Sequence, residues 1–329
     1  MVSRWRQLQP SVPSRWAAVA PLCFVTLACN SLWSVDELSF GPSPTGGQSP
    51  GGSGGQGGQG AGDAGAGGDG GGGGGELDCT GAFGAPEVAL SVTGATLGSP
   101  AITMDQLELY FTYSSNVGAL IEVRRSLRSG QGDFQPGQQV TELTTLCDAP
   151  SDIRGLDVTP DGRRAYVGCA TTTSDVVVVL AERVDGADAF VEIGPVATMG
   201  SSPAITMDEL TLYSSGPGSG TGPKAATRDT LQQTFGLGVA VPGVGGFPLR
   251  TPGPTPDHLT LFGHLETTSW ELGYFARSHV GATYGAFTPV VSDLPIAGSP
   301  DVSADCRAVY FVGSVPPSTE PTEIYVMRR

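Results

Sequence analysis

Lysine is nearly absent from this chain, with Lys224 alone among its 329 residues. The 17 basic residues face 32 acidic ones, so the formal net charge is −15 at pH 7. Binding to nucleic-acid phosphates requires clustered Lys and Arg, and this deficit argues against such a partner. The 50 glycines and 26 prolines also exclude a helix-dominated fold, because both residues are unfavourable inside helices.

Common catalytic motifs are missing as well. The sequence contains no Cys-x-x-Cys pair, no Gly-Lys-Ser/Thr phosphate loop and no recognisable Ser/His/Asp order. Three histidines, His258, His264 and His279, fall close together, and His264 lies with Glu266 on one face of a predicted strand. Two local ligands are too few for a metal site, so we expect neither a metal nor a cofactor.

The first 28 residues have the layout of an export signal. They contain no acidic residue, and three arginines precede an apolar run over residues 16–28 that is shorter than a membrane span of about 20 residues. The run ends in Leu-Ala before Cys29, which resembles the lipobox of bacterial lipoproteins, although Thr26 stands in the usual leucine position. We expect residues 1–28 to be removed and Cys29 to be lipidated. An ordinary secretory signal, with Cys29 a plain thiol, is the alternative.

Residues 29–78 are predicted to be a disordered linker. Between Gly41 and Gly75, 20 of 35 residues are glycine, so the segment has no apolar area to offset the entropy of ordering. Asn30 follows the lipidation site, and the lipoprotein resemblance then implies the outer membrane. A secreted or periplasmic soluble protein is the alternative localisation.

Residues 79–329 contain five repeats of a hairpin. Each repeat has a segment that ends in a signature aspartate, and these aspartates are 47 to 56 positions apart. An alternating apolar strand follows each one, which predicts two strands joined by a tight turn. The signature aspartates are Asp105, Asp161, Asp208, Asp257 and Asp305.

A second pair of strands recurs after each hairpin. One strand leads into an arginine and the next opens with a phenylalanine. The fifth arginine strand has no phenylalanine strand after it, but one begins at Phe83, before the first repeat. This offset predicts an all-β fold, a five-bladed β-propeller of four-stranded antiparallel blades closed by the N-terminal strand. A six-bladed ring would need more chain. The aligned residues are Arg125, Arg183, Arg228, Arg277 and Arg328, with Phe134, Phe190, Phe235 and Phe287.

The second repeat carries a family resemblance. Its segment Thr159-Pro-Asp-Gly-Arg-Arg-Ala-Tyr166 is similar to the signature of TolB-type propeller repeats, which are WD-repeat-like, and the resemblance extends over residues 83–329. It implies an interaction role. Only this repeat keeps glycine after its aspartate, and Pro252, Pro254 and Pro256 predict a distorted inner strand in the fourth blade.

Four cysteines lie outside the predicted signal and lipidation site. They permit three pairings. Cys306 lies in a hairpin turn and Cys79 precedes the outer strand of the same closed blade, on one face. Cys147 follows one outer strand, and Cys169 follows the second strand of the next blade, on the other face. We therefore predict the disulfides Cys79–Cys306 and Cys147–Cys169, with free thiols as the alternative.

Asp157 and Asp301 are the candidate site residues. They occupy an inner-strand position that holds alanine or glycine in the other repeats. Two carboxylates at a channel suit the acid and base of a glycosidase, or a cation site, but no motif supports either role. We expect channel-lining or packing residues and assign no catalytic residue.

The signature aspartates should accept hydrogen bonds from their own turns, and four recurrent tyrosines should pack between blades rather than bind carbohydrate. These are Tyr110, Tyr166, Tyr213 and Tyr310.

The sequence favours a non-enzymatic function. We expect a monomeric, lipid-anchored module of the cell envelope, held to the membrane through Cys29, that binds an envelope protein or glycan. The binding face should carry the variable loops at 114–120, 143–154 and 214–223. A glycoside hydrolase that uses Asp157 and Asp301 is the alternative.

Overall fold

The structure is a computed structural model that describes residue 77 and residues 79–329 with short gaps. The predicted signal, the lipidation site at Cys29 and nearly all of the linker lie outside the described residues. The gaps within 79–329 are residues 116–119, 131, 172–174, 185–187, 216–221, 245, 267–269, 292–293, 295 and 315–322.

The described chain forms five four-stranded antiparallel sheets. A first strand, β1 (Glu87–Ser91), precedes four blades whose strands follow chain order from the channel outward. The first blade contains β2 (Thr96–Ile102), β3 (Glu108–Ser114), β4 (Glu122–Leu127) and β5 (Gln138–Gln139). The second contains β6 (Ile153–Val158), β7 (Arg164–Ala170), β8 (Val176–Arg183) and β9 (Phe190–Met199).

The remaining blades follow the same plan. The third contains β10 (Ala204–Ile205), β11 (Thr211–Ser214), β12 (Lys224–Thr227) and β13 (Val239–Ala240). The fourth contains β14 (Leu249–Pro254), β15 (Thr260–Glu266), β16 (Trp270–Ala276) and β17 (Phe287–Val291). The fifth contains β18 (Ile296–Val302), β19 (Ala308–Ser314), β20 (Glu323–Arg328) and the early strand β1.

The ring closes as predicted. β1 pairs antiparallel with β20, with Glu87 opposite Val326 and Ser91 opposite Glu323. The inner strands contact one another in a cycle, from β2 through β6, β10, β14 and β18 back to β2. The five-bladed β-propeller is confirmed, and its outer strand in the fifth blade comes from the start of the described chain.

In the part of the chain that the structure describes, helix is confined to one connection between the first two blades. It comprises α1 (Thr141–Thr144) and a 3₁₀ turn at Pro150–Asp152. Among the described residues, no helix has the length and apolar character needed to cross a membrane.

The signature aspartates build the turns between the first and second strands. In each turn one carboxylate oxygen accepts a hydrogen bond from a Thr or Ser hydroxyl two residues before, at 2.5 to 2.6 Å. The same oxygen accepts the backbone N–H two residues after, at 2.9 to 3.0 Å. The residue directly after each aspartate is left-handed, with φ between +57° and +70°. This local role is the one predicted.

An arginine at the end of each third strand lies over an aromatic ring, at 4.3 to 5.1 Å from the ring centroid. In the first and fifth blades these arginines are not the predicted Arg125 and Arg328 but Arg128 and Arg329, each of which directly follows the last residue of its strand. More than one arginine lies near the end of each of these two strands, so residue types alone did not show which of them contacts the ring. The pairs are Arg128–Phe134, Arg183–Phe190, Arg228–Phe235, Arg277–Tyr284 and Arg329–Phe83.

The same aromatic rings join neighbouring blades. The ring of one blade packs on the second strand of the preceding blade, as Phe190 does on Tyr110 with centroids 6.2 Å apart. In the fourth blade Tyr284 takes this position and shares a buried cluster with Tyr213. Phe287, predicted for it, packs within its own blade on Phe275, 5.2 Å away. The expected inter-blade packing of the recurrent tyrosines is confirmed.

Candidate functional site

A repeated backbone bulge shapes the wall of the central channel. In four inner strands the pairing register shifts near the middle of the strand, and β10 of the third blade is only two residues long. One left-handed residue lies at the equivalent position of all five blades, usually before a proline. The inner strand of the fourth blade, β14, has the same bulge as inner strands that lack the run Pro252, Pro254 and Pro256. These prolines are therefore not the cause of the bulge. The residues are Ser99, Gly155, Ser202, Thr251 and Ser299.

The structure places Asp157 and Asp301 at one structural position in their blades. Asp157 is paired with Tyr166 and Asp301 with Tyr310. Alanine or glycine faces the corresponding aromatic residue in the other three blades, at Ala101, Ala204 and Gly253. Both aspartates line the channel together with four of the left-handed residues, Ser99, Ser202, Thr251 and Ser299. The two candidate carboxylates therefore share one cavity, although their blades are not adjacent.

Each carboxylate accepts a hydrogen bond from the next blade. Asp157 Oδ2 accepts the backbone N–H of Ile205 at 2.6 Å, and its Oδ1 accepts that of Val158 at 2.8 Å. Asp301 Oδ2 accepts the backbone N–H of Ile102 at 2.6 Å. These bonds join the second blade to the third and the fifth to the first. These donors are backbone N–H groups, which every residue except proline has, so residue types could not predict them.

The channel environment opposes ionisation of both groups. Burial raises the pKa of Asp157 to about 7, against the lowering effect of the hydrogen bonds from Ile205 and Val158. Burial, and then the nearby charge of Asp157, raise the pKa of Asp301 well above its ordinary value. The two carboxylates thus affect each other's ionisation across the channel.

The channel is narrow at this level. It leaves about 20 Å³ of free space on the scale of a water molecule, where one ordered water needs roughly 10–15 Å³ on that scale. A sugar ring needs a cleft of some hundreds of Å³. With their oxygens directed to backbone amides, the two carboxylates are suited to joining blades and to holding a proton.

The histidines do not form a metal centre with their neighbours. His264 is buried, its Nδ1 lies 3.0 Å from the Thr251 hydroxyl, and burial lowers its pKa to about 3. His258 Nε2 lies 3.6 Å from Asp208 Oδ2, and His279 is exposed. The residues that the structure describes contain no group of three His, Cys, Asp or Glu placed to hold a metal ion.

The face that carries the second-to-third and fourth-to-first strand connections is called the loop face here. Most residues of the connections between second and third strands lie in the gaps of the described chain. The connection over 140–152 is described in full, and a Cys147–Cys169 disulfide joins it to β7, with Cα atoms 5.3 Å apart. Leu143 and Ile153 are buried on either side of this disulfide. The connection is thus covalently fixed to the second blade.

The opposite face, with the short turns, is called the turn face. A disulfide joins Cys79 to Cys306 there, with Cα atoms 5.0 Å apart. Cys306 belongs to the first turn of the fifth blade, whose outer strand begins eight residues after Cys79. Both disulfides have the predicted partners, and their presence is typical of proteins from oxidising compartments.

The comparisons with known proteins define the class of fold. No protein-family model matches the chain, and no curated protein is significantly similar to it. A solved family-43 glycoside hydrolase is similar with a TM-score of 0.51 and 12% identity, over 73% of this chain and 90% of that one. An α-L-arabinofuranosidase from Podospora anserina has a TM-score of 0.50 and 8% identity, over 74% and 94%.

TolB from Acinetobacter baumannii is similar with a TM-score of 0.41 and 12% identity, over 71% of this chain and 54% of that one. At such identities the similarity to the hydrolases shows the fold alone. The chain is therefore a β-propeller by class, and its function has to be argued from its own residues.

Proposed function

We propose that the protein is an exported, lipid-anchored binding module that recognises a protein or a glycan of the cell envelope through its loop face. The fixed connection over 140–152 is the observation that carries this proposal. A segment held by a disulfide and by buried Leu143 loses little conformational entropy when a partner binds. Loops on a rigid scaffold are also where binding residues concentrate.

The channel geometry supports binding in preference to hydrolysis. A glycosidase needs two carboxyl groups that flank a sugar linkage, whereas the free space beside Asp157 and Asp301 is close to that of a single water. Their oxygens also bond backbone amides of the next blades. Two disulfides support export, since such bonds persist outside the reducing cytosol.

Binding is tested with the full-length protein on a glycan array and on purified envelope fractions, beside hydrolysis assays with chromogenic glycosides. Saturable binding without turnover is expected. The double variant Glu142→Lys/Asp148→Lys, in exposed positions of the fixed connection, should weaken that binding at least tenfold. The control Asp133→Lys, exposed on the turn face, should leave it unchanged. Turnover that is lost in Asp157→Asn would establish the hydrolase instead.

Anchoring is tested separately by mass spectrometry of the mature N-terminus. Diacylglyceryl-modified Cys29 is the expected first residue, and Cys29→Ala should move the protein from the membrane fraction to the soluble fraction. A mature N-terminus elsewhere, with unmodified Cys29, would contradict the lipid anchor and leave the binding assay unaffected.

A further inference from the structure

Arg125 departs from the repeat plan of the propeller. On β4 it lies directly opposite Tyr110 of β3 and Gln138 of β5. The equivalent position of each other blade holds an apolar or aromatic residue, opposite the matching aromatic residue of the second strand. The repeat therefore does not require a charged side chain here. These equivalent residues are Leu180, Ala225, Tyr274 and Val326.

Arg125 lines a cleft between the outer parts of the first and second blades. Residues directly opposite on neighbouring strands share one face of a sheet. Tyr110 packs on Phe190 of the second blade, so the row that contains Arg125 faces that blade. The cleft has about 360 Å³ of free space, on the scale on which the channel has about 20 Å³. Val140 and Glu142, where the fixed connection begins, also line it.

The charged groups of the cleft are paired within the protein. Arg125 Nη1 lies 3.2 Å from Asp188 Oδ1 and 3.9 Å from Glu108 Oε2, and Arg183 donates to Glu108 Oε2 at 2.7 Å. The hydrogen bond from Arg125 lowers the pKa of Asp188, so this carboxylate is ionised at neutral pH and only accepts hydrogen bonds. With Glu142, three carboxylates accompany two guanidinium groups. An anionic ligand would have to displace a carboxylate from Arg125, which disfavours such a ligand.

The remaining polar groups suit a ligand that is rich in hydroxyls. Gln138 and Gln139 are exposed in the cleft, and a side-chain amide both donates and accepts hydrogen bonds. Arg125 only donates and the carboxylates only accept, and a hydroxyl can bond to either kind. Val140 and Ala189 supply apolar lining. A pyranose ring combines hydroxyls with an apolar C–H face, and a cleft of some hundreds of Å³ can hold one ring.

We propose that this cleft binds one pyranose residue of an uncharged glycan, with sugar hydroxyls hydrogen-bonded to Arg125, Gln138 and Asp188. The cleft lies in the side of the ring, beside the outer strand β5, and the inference does not depend on the proposed function of the loop face. Val140 and Glu142 belong both to the cleft and to the fixed connection, so the tests use other residues.

The test is saturation-transfer NMR of the full-length protein with methyl glycosides. The neutral probes are methyl β-D-glucopyranoside, methyl β-D-galactopyranoside and methyl α-D-mannopyranoside, and the anionic probe is methyl β-D-glucuronide. Saturable binding of a neutral probe is expected, with an affinity that stays the same between about 50 mM and about 500 mM salt. The side-chain amide signals of Gln138 and Gln139 should shift on binding. Those of Gln232 and Gln233 should not, since they lie in the corresponding cleft of the next two blades, which Leu180 lines.

Two variants locate the site. Arg125→Leu introduces the side chain that the second blade has at this position, and it should weaken binding at least tenfold. Gln138→Ala changes an exposed residue and should weaken binding several-fold without disturbing the core. The matched control Gln232→Ala removes an exposed amide from the corresponding cleft and should have no effect. Asp148→Lys, in the fixed connection but outside the cleft, should have none either, which separates this site from the loop face.

Three results would overturn the proposal. The first is the absence of saturable binding for all three neutral probes. The second is tighter binding of the glucuronide, with an affinity that falls as salt is added, because this would identify an anion site at Arg125. The third is unchanged binding in both Arg125→Leu and Gln138→Ala, which would place the sugar elsewhere on the protein.

Discussion

Left-handed backbone positions recur twice in every repeat of this propeller, once in the inner-strand bulge and once in the signature turn. Glycine occupies both positions in the second blade, as Gly155 and Gly162, whereas other blades place Ser, Thr, Gln, Glu, His or Cys there. An L-residue in this conformation costs roughly 1–2 kcal/mol. The fold therefore carries distributed backbone strain that its inter-blade contacts have to offset.

Gly162→Ala should lower the free energy of unfolding by about 1 kcal/mol. Gly162 has φ +70°, and a Cβ there would lie 3.3 Å from the Thr103 methyl of the first blade. The measurement is urea denaturation followed by tryptophan fluorescence. Gly246→Ala is the control, because its Cβ would enter open space outside the left-handed region. Equal effects of the two changes would show that backbone conformation is not the cause.

The channel carboxyls should make the propeller less stable as the pH rises. Burial raises the pKa of Asp157 to about 7, and that of Asp301 is raised as well. At pH values between the ordinary aspartate pKa near 4 and these raised values, the folded protein binds more protons than the unfolded chain. The stabilisation from the two protonated carboxyls is therefore fully present below pH 4 and is lost as the pH rises through 7. A loss of at least about 1 kcal/mol is expected, since one pKa unit corresponds to about 1.4 kcal/mol.

The measurement is the pH dependence of the unfolding free energy between pH 4 and 8, compared with Asp157→Asn/Asp301→Asn. The variant separates the effect of these two groups from that of carboxylates whose contribution to stability increases with pH. Asp208 is one of these, because hydrogen bonds from Thr206 and Leu210 lower its pKa despite partial burial. Parallel pH profiles of wild type and variant would contradict a titrating pair in the channel.

At the scale of elements, the arginine at the end of the third strand joins several parts of two blades. Arg228 Nε donates to the Glu209 carbonyl at 2.8 Å in its own blade, and an NH2 donates to the Tyr166 hydroxyl of the preceding blade at 2.9 Å. Its guanidinium also lies 4.4 Å from the centroid of Phe235. The planar group makes these contacts at once, which a lysine ammonium does not.

Arg228→Lys should therefore cost about 2 kcal/mol of unfolding free energy. The Arg228 side chain is 1% exposed, so the contacts it loses are not replaced by water. Arg328→Lys is the matched control, since its ion pair with Glu87 is largely exposed and worth roughly 0–1 kcal/mol. Both variants would be compared by urea denaturation, and a similar cost in each would mean that the buried contacts of Arg228 add little.

The sequence predicted the strands and their order better than it predicted individual side-chain contacts. The number of strands was sufficient to predict that the Phe83 segment completes the fifth blade. The last repeat lacks a fourth strand and one extra strand precedes the first repeat, and this count does not depend on how the strands pair residue by residue. In the first and fifth blades the arginine that contacts the aromatic ring was misassigned, since Arg125 and Arg328 lie close to Arg128 and Arg329 and have the same residue type. Asp157 and Asp301 were identified because they interrupt a position of small residues, but their backbone donors could not be inferred from residue types.

At the scale of the whole molecule, closure joins two ends of the chain that are far apart in sequence. β1 contributes only five residues to the fifth blade, and its pairing with β20 shifts register between Val88 and Leu90. A short, irregular edge strand is a weak closure by itself. The Cys79–Cys306 disulfide lies just before β1 and connects it to the innermost turn of the blade that it completes.

This arrangement makes the two disulfides unequal. Cys79–Cys306 spans 227 positions and Cys147–Cys169 spans 22, and in the chain-entropy description these loops give about 5 and about 3 kcal/mol. Cys79→Ser/Cys306→Ser should thus destabilise the protein by roughly 2 kcal/mol more than Cys147→Ser/Cys169→Ser in urea denaturation. Hydrogen exchange adds a local test, because the β1 amides should lose protection only in the first variant. If the loss were larger in the second variant, or if β1 stayed equally protected in both, the strand pairing itself would hold the ring closed.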